Sequence, residues 1–363
     1  MKLLLSFLSA AVAAVGFAAT PDSELDWIDG RDLPLEGKPF ATPGHDYARL
    51  PAESVKELPL LSWACPAGLC FRFETNSDIL RLRWTVAHKG PAAGAGNASA
   101  ELYAGFDVYE WLPQSGWRWH AVGIPSAESR TTTVSTVWKP GRRCMIYFPM
   151  MYEIEKFELG VRKGAKVTKL PARPTVQKPV VLYGSSMVHG FCSSRPGMIW
   201  GNVLGRMLDV PVVNQGHSGQ GKMEPPMVDY LAKIDASAYG FLCCGEQLPI
   251  DEMRKRYKPF LTALHKKRPD VPILIGEYYY TYGAGTADVN WGDYGPKEYF
   301  IRDLVGELRA SDPVFWRNLY IVRQQDMMVA DGDGTVDTAH VNDRGAWQIA
   351  TAFADVLRKA LGL

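Results

Sequence analysis

From about residue 79 the chain alternates apolar and polar positions. Leu80, Leu82, Trp84 and Val86 are separated by Arg81, Arg83 and Thr85, the period of a strand with one buried face. Further short runs follow at Phe106–Trp111, Trp117–Ile124, Thr131–Trp138, Cys144–Pro149 and Lys156–Val161. Turn residues such as Pro113 to Gly116 and Pro140-Gly141 divide them. Short strands at this spacing predict a β-sandwich over residues 20–165. Within it, residues 20 to about 75 are rich in Pro and Gly and read as irregular, with Leu58–Trp63 as one strand. Lys89 to Ser99 reads as a Gly/Ala-rich loop.

The period changes after a basic, Pro-containing run without periodicity at 166–178, which reads as a linker. Strand-like Val180–Tyr183, Pro211–Asn214, Gly240–Cys244, Val271–Gly276 and Leu319–Val322 alternate with helical segments. Those segments are Met198–Leu208, Pro226–Ile234, Asp251–Lys267, Lys297–Ala310 and Gly345–Leu361. Met253, Tyr257, Phe260, Leu261 and Leu264 give the third an apolar face. Five strands alternating with helices predict an α/β domain over 179–363, a doubly wound parallel sheet. Ligands of such sheets sit outside the carboxyl ends of the strands.

Hydrophobic residues make up 47% of the 363, enough for packed cores in two domains. A net charge of +1 gives no electrostatic case for nucleic acid or an anionic membrane. Lys2, the apolar run Leu3 to Phe17 and the small residues of Gly16-Phe17-Ala18 read as a signal peptide, residues 1–18, cut after Ala18. No later apolar run approaches the ~20 residues of a membrane helix, so the expectation is a secreted or periplasmic protein without membrane insertion. Six cysteines are too few for a disulfide scaffold. Cys65 and Cys70 read either as a small closed loop or as two buried thiols.

The strand ends carry chemistry. Gly184-Ser185-Ser186 follows the first strand, and Asn214-Gln215-Gly216-His217-Ser218-Gly219-Gln220-Gly221 the second. Cys244-Gly245-Glu246-Gln247 follows the third, and Asp337-Thr338-Ala339-His340 precedes the closing helix. A serine, N–H and amide donors, a histidine and a carboxylate thus reach one edge. Serine acyl transfer needs this set: imidazole to take the serine proton, a carboxylate to fix its tautomer, donors to hold the oxyanion.

Gly184-Ser185-Ser186, the Asn214 to Gly219 turn and Asp337-x-x-His340 resemble three of the four blocks of the SGNH/GDSL hydrolase superfamily. The resemblance spans residues 178–363, and the upstream β-rich region is similar to that of two-domain bacterial members. It implies a flavodoxin-like fold and Ser186 as nucleophile, with His340 as base and Asp337 as its orienter. It also implies an oxyanion hole from Ser186 and the Gly219 N–H. The third block departs from the family. Where an asparagine is expected stands Gln247, whose amide sits one methylene further out. The resemblance implies a serine esterase needing no metal or cofactor. Export and the β-rich domain point to O-acetyl groups on a carbohydrate. A degenerate glycan-binding protein and a lipid or thioester hydrolase are the other readings.

Arg195 reads either as an anion binder or as a structural ion pair, and His217 as a pocket residue or a structural one. Tyr279 and Trp291, in the long segment after the fourth strand, read as sugar-stacking aromatics or as packing against the first domain. Asp331-Gly332-Asp333-Gly334 lacks the further ligands of a calcium loop and reads as a turn. The oligomeric state is not legible.

Overall fold

The computed structural model describes residues 20–87, 96–173, 175–243, 248–279, 297, 299–337 and 339–363. The expected signal peptide, Gln247 and Trp291 lie outside the described residues.

The described residues of the first half hold ten strands in two antiparallel sheets. One has four strands in the order β1 (Leu25–Asp29), β9 (Ile154–Arg162), β4 (Ile79–Val86), β7 (Thr131–Val137). The other runs β10 (Val167–Lys169), β3 (Cys70–Thr75), β8 (Arg142–Tyr147), β5 (Phe106–Leu112), β6 (Gly116–Gly123), with β2 (Leu35–Glu36) also on β3. Leu80, Leu82, Trp84 and Val86 of β4 join Phe71, Phe73, Phe106, Ile146 and Phe157 in one buried core. The alternate β4 positions lie on the opposite face: Arg83 stacks on Trp27 at 3.7 Å and the buried Arg81 pairs with Asp22 at 2.6 Å.

Three expectations for this half are corrected. Leu58–Trp63 is not a strand: it is a turn closed by Leu61 N–H on Leu58 O, and Pro59 lacks the donor a ladder needs. The irregular stretch holds β3, a central strand. The basic run 166–178 contributes β10, paired with β3 as Val167↔Thr75.

The second half is a five-stranded parallel sheet in the order β12 (Val212–Gly216), β11 (Val180–Gly184), β13 (Ala238–Leu242), β14 (Ile273–Gly276), β15 (Leu319–Val322). In chain order this is 2-1-3-4-5, which places a topological switch at β11. β11 to β14 are buried on both faces, so they read as continuous apolar runs. One face packs on α4 (Met227–Lys233), α5 (Ile250–Lys267) and α6 (Phe300–Ser311). The other packs on α3 (Trp200–Leu208) and α8 (Asp343–Leu361). α1 (Ala100–Ala104), α2 (Ser186–His189) and α7 (Gln324–Met327) are single turns. Asn342 caps α8 by accepting from the N–H groups of Arg344 and Gly345 at 3.0 and 3.1 Å. That cap, two residues after His340, fixes where the helix begins.

The halves are joined by buried charges. Arg173 pairs with Glu36 at 2.8 Å and with Asp209 at 2.9 Å. Asp107 on β5 accepts from Gly197 N–H at 2.8 Å.

Candidate active site

β11 breaks at Gly184, and α2 starts immediately after Ser185. The Ser185 carbonyl accepts from the N–H groups of Val188 and His189 at 3.1 and 2.9 Å. The tight turn aims Ser186 at the loop before α8. Ser186 Oγ lies 2.8 Å from His340 Nε2, and His340 Nδ1 lies 2.7 Å from Asp337 Oδ2. Asp337 Oδ1 also accepts from the backbone N–H groups of His340 and Ala339 at 2.7 and 3.2 Å. Burial alone would raise the Asp337 carboxyl. The hydrogen bonds from His340 and Ala339 outweigh it and hold the group below its ordinary 3.8. An ionised Asp337 on Nδ1 requires the proton there, which leaves Nε2 free to accept from Ser186. The Phe191 ring meets the imidazole edge-on at 4.7 Å.

The structure thus brings Ser186, His340 and Asp337 together in one chain of hydrogen bonds. No described group accepts from the N–H of Ser186 or of Gly219. Gly219 sits in a turn closed by Gln220 N–H on His217 O at 2.9 Å. Its φ of +75° is a conformation that a side chain disfavours.

Two groups outside the expected set fix this turn. His189 is fully buried, and its Nε2 faces the Met150 carbonyl at 3.0 Å. A carbonyl can only accept, so Nε2 carries the proton and Nδ1 accepts from Ser218, whose N–H is at 3.3 Å and Oγ at 2.9 Å. Burial, with Arg49 adding, holds His189 well below 6.5 and keeps it neutral. Glu224 accepts from the N–H groups of Gly221 and Lys222 at 3.1 and 2.9 Å and from the Tyr183 hydroxyl.

The remaining expected residues fall differently. Arg195 is engaged by the buried Asp107 at 3.2 Å and lies over Trp119 at 5.1 Å, the ion-pair alternative. His217 is fully buried, and no described group bonds either ring nitrogen, so it presents no surface to a substrate. Tyr279 is 6% exposed and packs with the α3–α8 core. Cys65 and Cys70 are buried free thiols, which corrects the closed-loop alternative, and Cys65 donates to Met151 O at 2.9 Å. Asp331 and Asp333 pair with Arg344. Arg49, His189 and Glu224 were not singled out as parts of the site, because no motif marks them and their roles come from contacts that only the fold makes.

Cys192, Asp337 and His340 offer three ligand-type atoms within 4.8 Å of one another. Both imidazole nitrogens are already engaged there, Nε2 by Ser186 and Nδ1 by Asp337. Burial, with the Asp337 charge adding, pushes the Cys192 thiol up to about 12, so it stays protonated.

Residues 177–358 match the model of the GDSL-like Lipase/Acylhydrolase family, and residues 25–167 match that of the N-terminus of SGNH-hydrolase-type esterases. This arrangement is that of an ester hydrolase. The chain belongs to the GDSL-like lipase/acylhydrolase family. It is similar over 93% of its length to 98% of a Bacteroides ovatus protein described as a GDSL-like lipase, at 28% identity and a TM-score of 0.82. The fold is also similar to that of the salicylyl-acyltransferase SsfX3 from a tetracycline biosynthetic pathway, at 15% identity and a TM-score of 0.72, covering 94% and 98% of the two chains. A family two carbohydrate esterase from Cellvibrio japonicus matches at 11% identity and a TM-score of 0.60, covering 93% and 98%. No curated protein matches the chain. No described helix is long and apolar enough to cross a membrane.

Proposed function

We propose that the protein is an exported serine esterase that removes O-acetyl groups from a carbohydrate through a covalent acyl-enzyme. The observation that carries this reading is the Ser186–His340–Asp337 chain, with contacts of 2.8 and 2.7 Å. In the first step Ser186 Oγ attacks the ester carbonyl carbon while its proton passes to His340 Nε2. Asp337 holds the tautomer and stabilises the imidazolium. The Ser186 and Gly219 N–H groups, with the Gln247 amide, receive the developing oxyanion. Collapse expels the sugar alkoxide, which takes the proton from Nε2. Water, deprotonated by the same nitrogen, then attacks the acyl-serine, and collapse releases acetate while Ser186 Oγ takes the proton back from Nε2. No step calls for a metal or cofactor.

In this reading residues 1–18 direct export, 20–165 form a β-sandwich accessory domain, 166–178 connect, and 179–363 are the hydrolase. The carbohydrate assignment draws on the fold shared with family two carbohydrate esterases, one of them, from Clostridium thermocellum, solved with cellohexaose. The hydrogen-bonded triad favours catalysis over a degenerate glycan-binding role. The test compares wild type with Ser186→Ala on p-nitrophenyl acetate and then on acetylated polysaccharides, scored for acetate. Wild type should release acetate and Ser186→Ala should lose nearly all turnover. A preference for long acyl chains would replace the carbohydrate reading with a lipid one.

A further inference from the structure

Arg49 lies in the first half of the chain, outside every strand, and is completely buried. Among the described residues no carboxylate pairs with it. Its short hydrogen bonds all go to backbone carbonyls: Nε to Cys65 at 2.6 Å, Nη2 to Ser62 at 3.0 Å, and Nη1 to Asn214 and Gly216 at 2.9 and 2.8 Å. A weaker contact reaches Asn214 Oδ1 at 3.4 Å, and Nη2 also lies 3.4 Å from His189 Nε2. Burial pulls the group down to about 10, so it remains charged at neutral pH.

Burying a cation without a counter-ion is costly, and it persists only where its donors are fully used. Here the fork spans two parts of the chain. Two of its acceptors are in the 62–65 turn, and two are the last carbonyls of β12. Asn214 extends the connection. Its amide donates to Val188 O in α2 at 2.7 Å, and its Oδ1 accepts from Gly216 N–H at 2.8 Å. One guanidinium thus fixes the end of β12, which begins the Gly219 turn and is bonded to the helix carrying Ser186.

We propose that Arg49 is a positioning residue for the oxyanion turn, so that the first half of the chain supplies part of the catalytic framework rather than a detachable module. This rests on the proposed function in taking Gly219 N–H as an oxyanion donor. A lysine keeps the charge and reaches one or two of these carbonyls, but has no planar fork to span both segments. A methionine keeps much of the volume and loses every donor.

The test uses the full chain with Arg49→Met and Arg49→Lys. It reads p-nitrophenyl acetate kinetics, circular dichroism and amide hydrogen exchange over residues 214–221. Folded Arg49→Met should lose about tenfold to a hundredfold in kcat with KM within about twofold, because a displaced donor costs the transition state more than the ground state. Exchange should quicken at 217–221 while β3 and β8 stay protected, and Arg49→Lys should regain part of both. Wild-type kcat with wild-type exchange in folded Arg49→Met overturns the proposal. If Arg49→Met does not fold, Arg49→Lys decides: reduced kcat with faster exchange at 217–221 supports it, and wild-type values of both overturn it. If wild type itself hydrolyses no faster than Ser186→Ala, the proposed function has failed. Exchange then decides alone, and unchanged protection at 217–221 in Arg49→Met overturns the positioning role.

Discussion

Ser185 and Ser186 are neighbours of identical chemistry, both buried, and the backbone turn separates their fates. Ser185 precedes α2 and its hydroxyl has no hydrogen-bond partner among the described residues, whereas Ser186 Oγ meets His340. A serine gains nucleophilicity from a base within reach, so geometry favours Ser186. The third oxyanion donor is argued from chemistry alone, since Gln247 lies outside the described residues. Loss of one such donor costs about 2.7–4 kcal/mol in the transition state. Gln247→Ala should therefore slow kcat by roughly two to three orders of magnitude with little change in KM. Gln247→Asn should fall between wild type and Gln247→Ala, since the shorter amide must reach across one missing methylene. Steady-state kinetics of both variants on p-nitrophenyl acetate check this, and a wild-type rate in Gln247→Ala would leave the oxyanion to backbone N–H groups.

The turn after β12 shows how an element makes a site from backbone alone, and its two glycines separate two costs. Gly219 has φ +75° with nothing within 4 Å of the place a Cβ would occupy. Gly221 also has φ +75°, but its Cβ would lie 2.0 Å from the Gly184 carbonyl oxygen in the turn before Ser186. Gly219→Ala meets only the conformational penalty, about 1 kcal/mol. Gly221→Ala must also push the oxyanion turn off the nucleophile turn. Thermal unfolding and p-nitrophenyl acetate kinetics should show Gly219→Ala slightly destabilised, and Gly221→Ala markedly less stable and nearly inactive. Elements differed in how plainly the sequence announced them. The parallel strands are buried on both faces, so Val180–Tyr183 and its counterparts stand out as apolar runs between amphipathic helices. β3 is short, and Arg72 on it is buried against Glu36 and Pro171 O. Phe71 and Phe73 do alternate with Arg72 and Glu74, but over too few positions to stand out from the Pro- and Gly-rich stretch before them. β10, three residues long, is too short for any period. Ser186, Asp337 and His340 were legible because each lies at an element boundary on the ligand-binding edge. Arg49 was not, because its bearing on the site comes from carbonyls 165 and 167 residues away.

At the scale of the whole molecule, the charges buried between the halves tie folding to pH. Arg49, Arg173 and Asp107 each bond both halves, which favours their unfolding together. His189 and His217 are fully buried, and burial, with Arg49 adding, holds both well below the ordinary 6.5. They are neutral when folded and take up protons when unfolded. Their contribution to stability is complete above 6.5 and is lost as pH falls below it. Each proton tilts stability by about 1.4 kcal/mol per pH unit, so the pair gives about 2.7 kcal/mol per unit. His120 is also lowered by burial and adds in the same direction. Asp107 opposes them: burial, only partly offset by Arg195, raises it from 3.8 to about 6. Its contribution is present below 3.8 and lost as pH rises through 6, so between those values it cancels about one histidine proton. Urea unfolding from pH 8 to pH 4.5 should show stability falling steeply near pH 6 and more gently below. His217→Met removes one of the two protons and two unpartnered nitrogens, and should flatten the steep region by about 1.4 kcal/mol per unit whatever it does to stability at pH 8. An unchanged slope in that variant would mean that His217 is not held neutral by its burial.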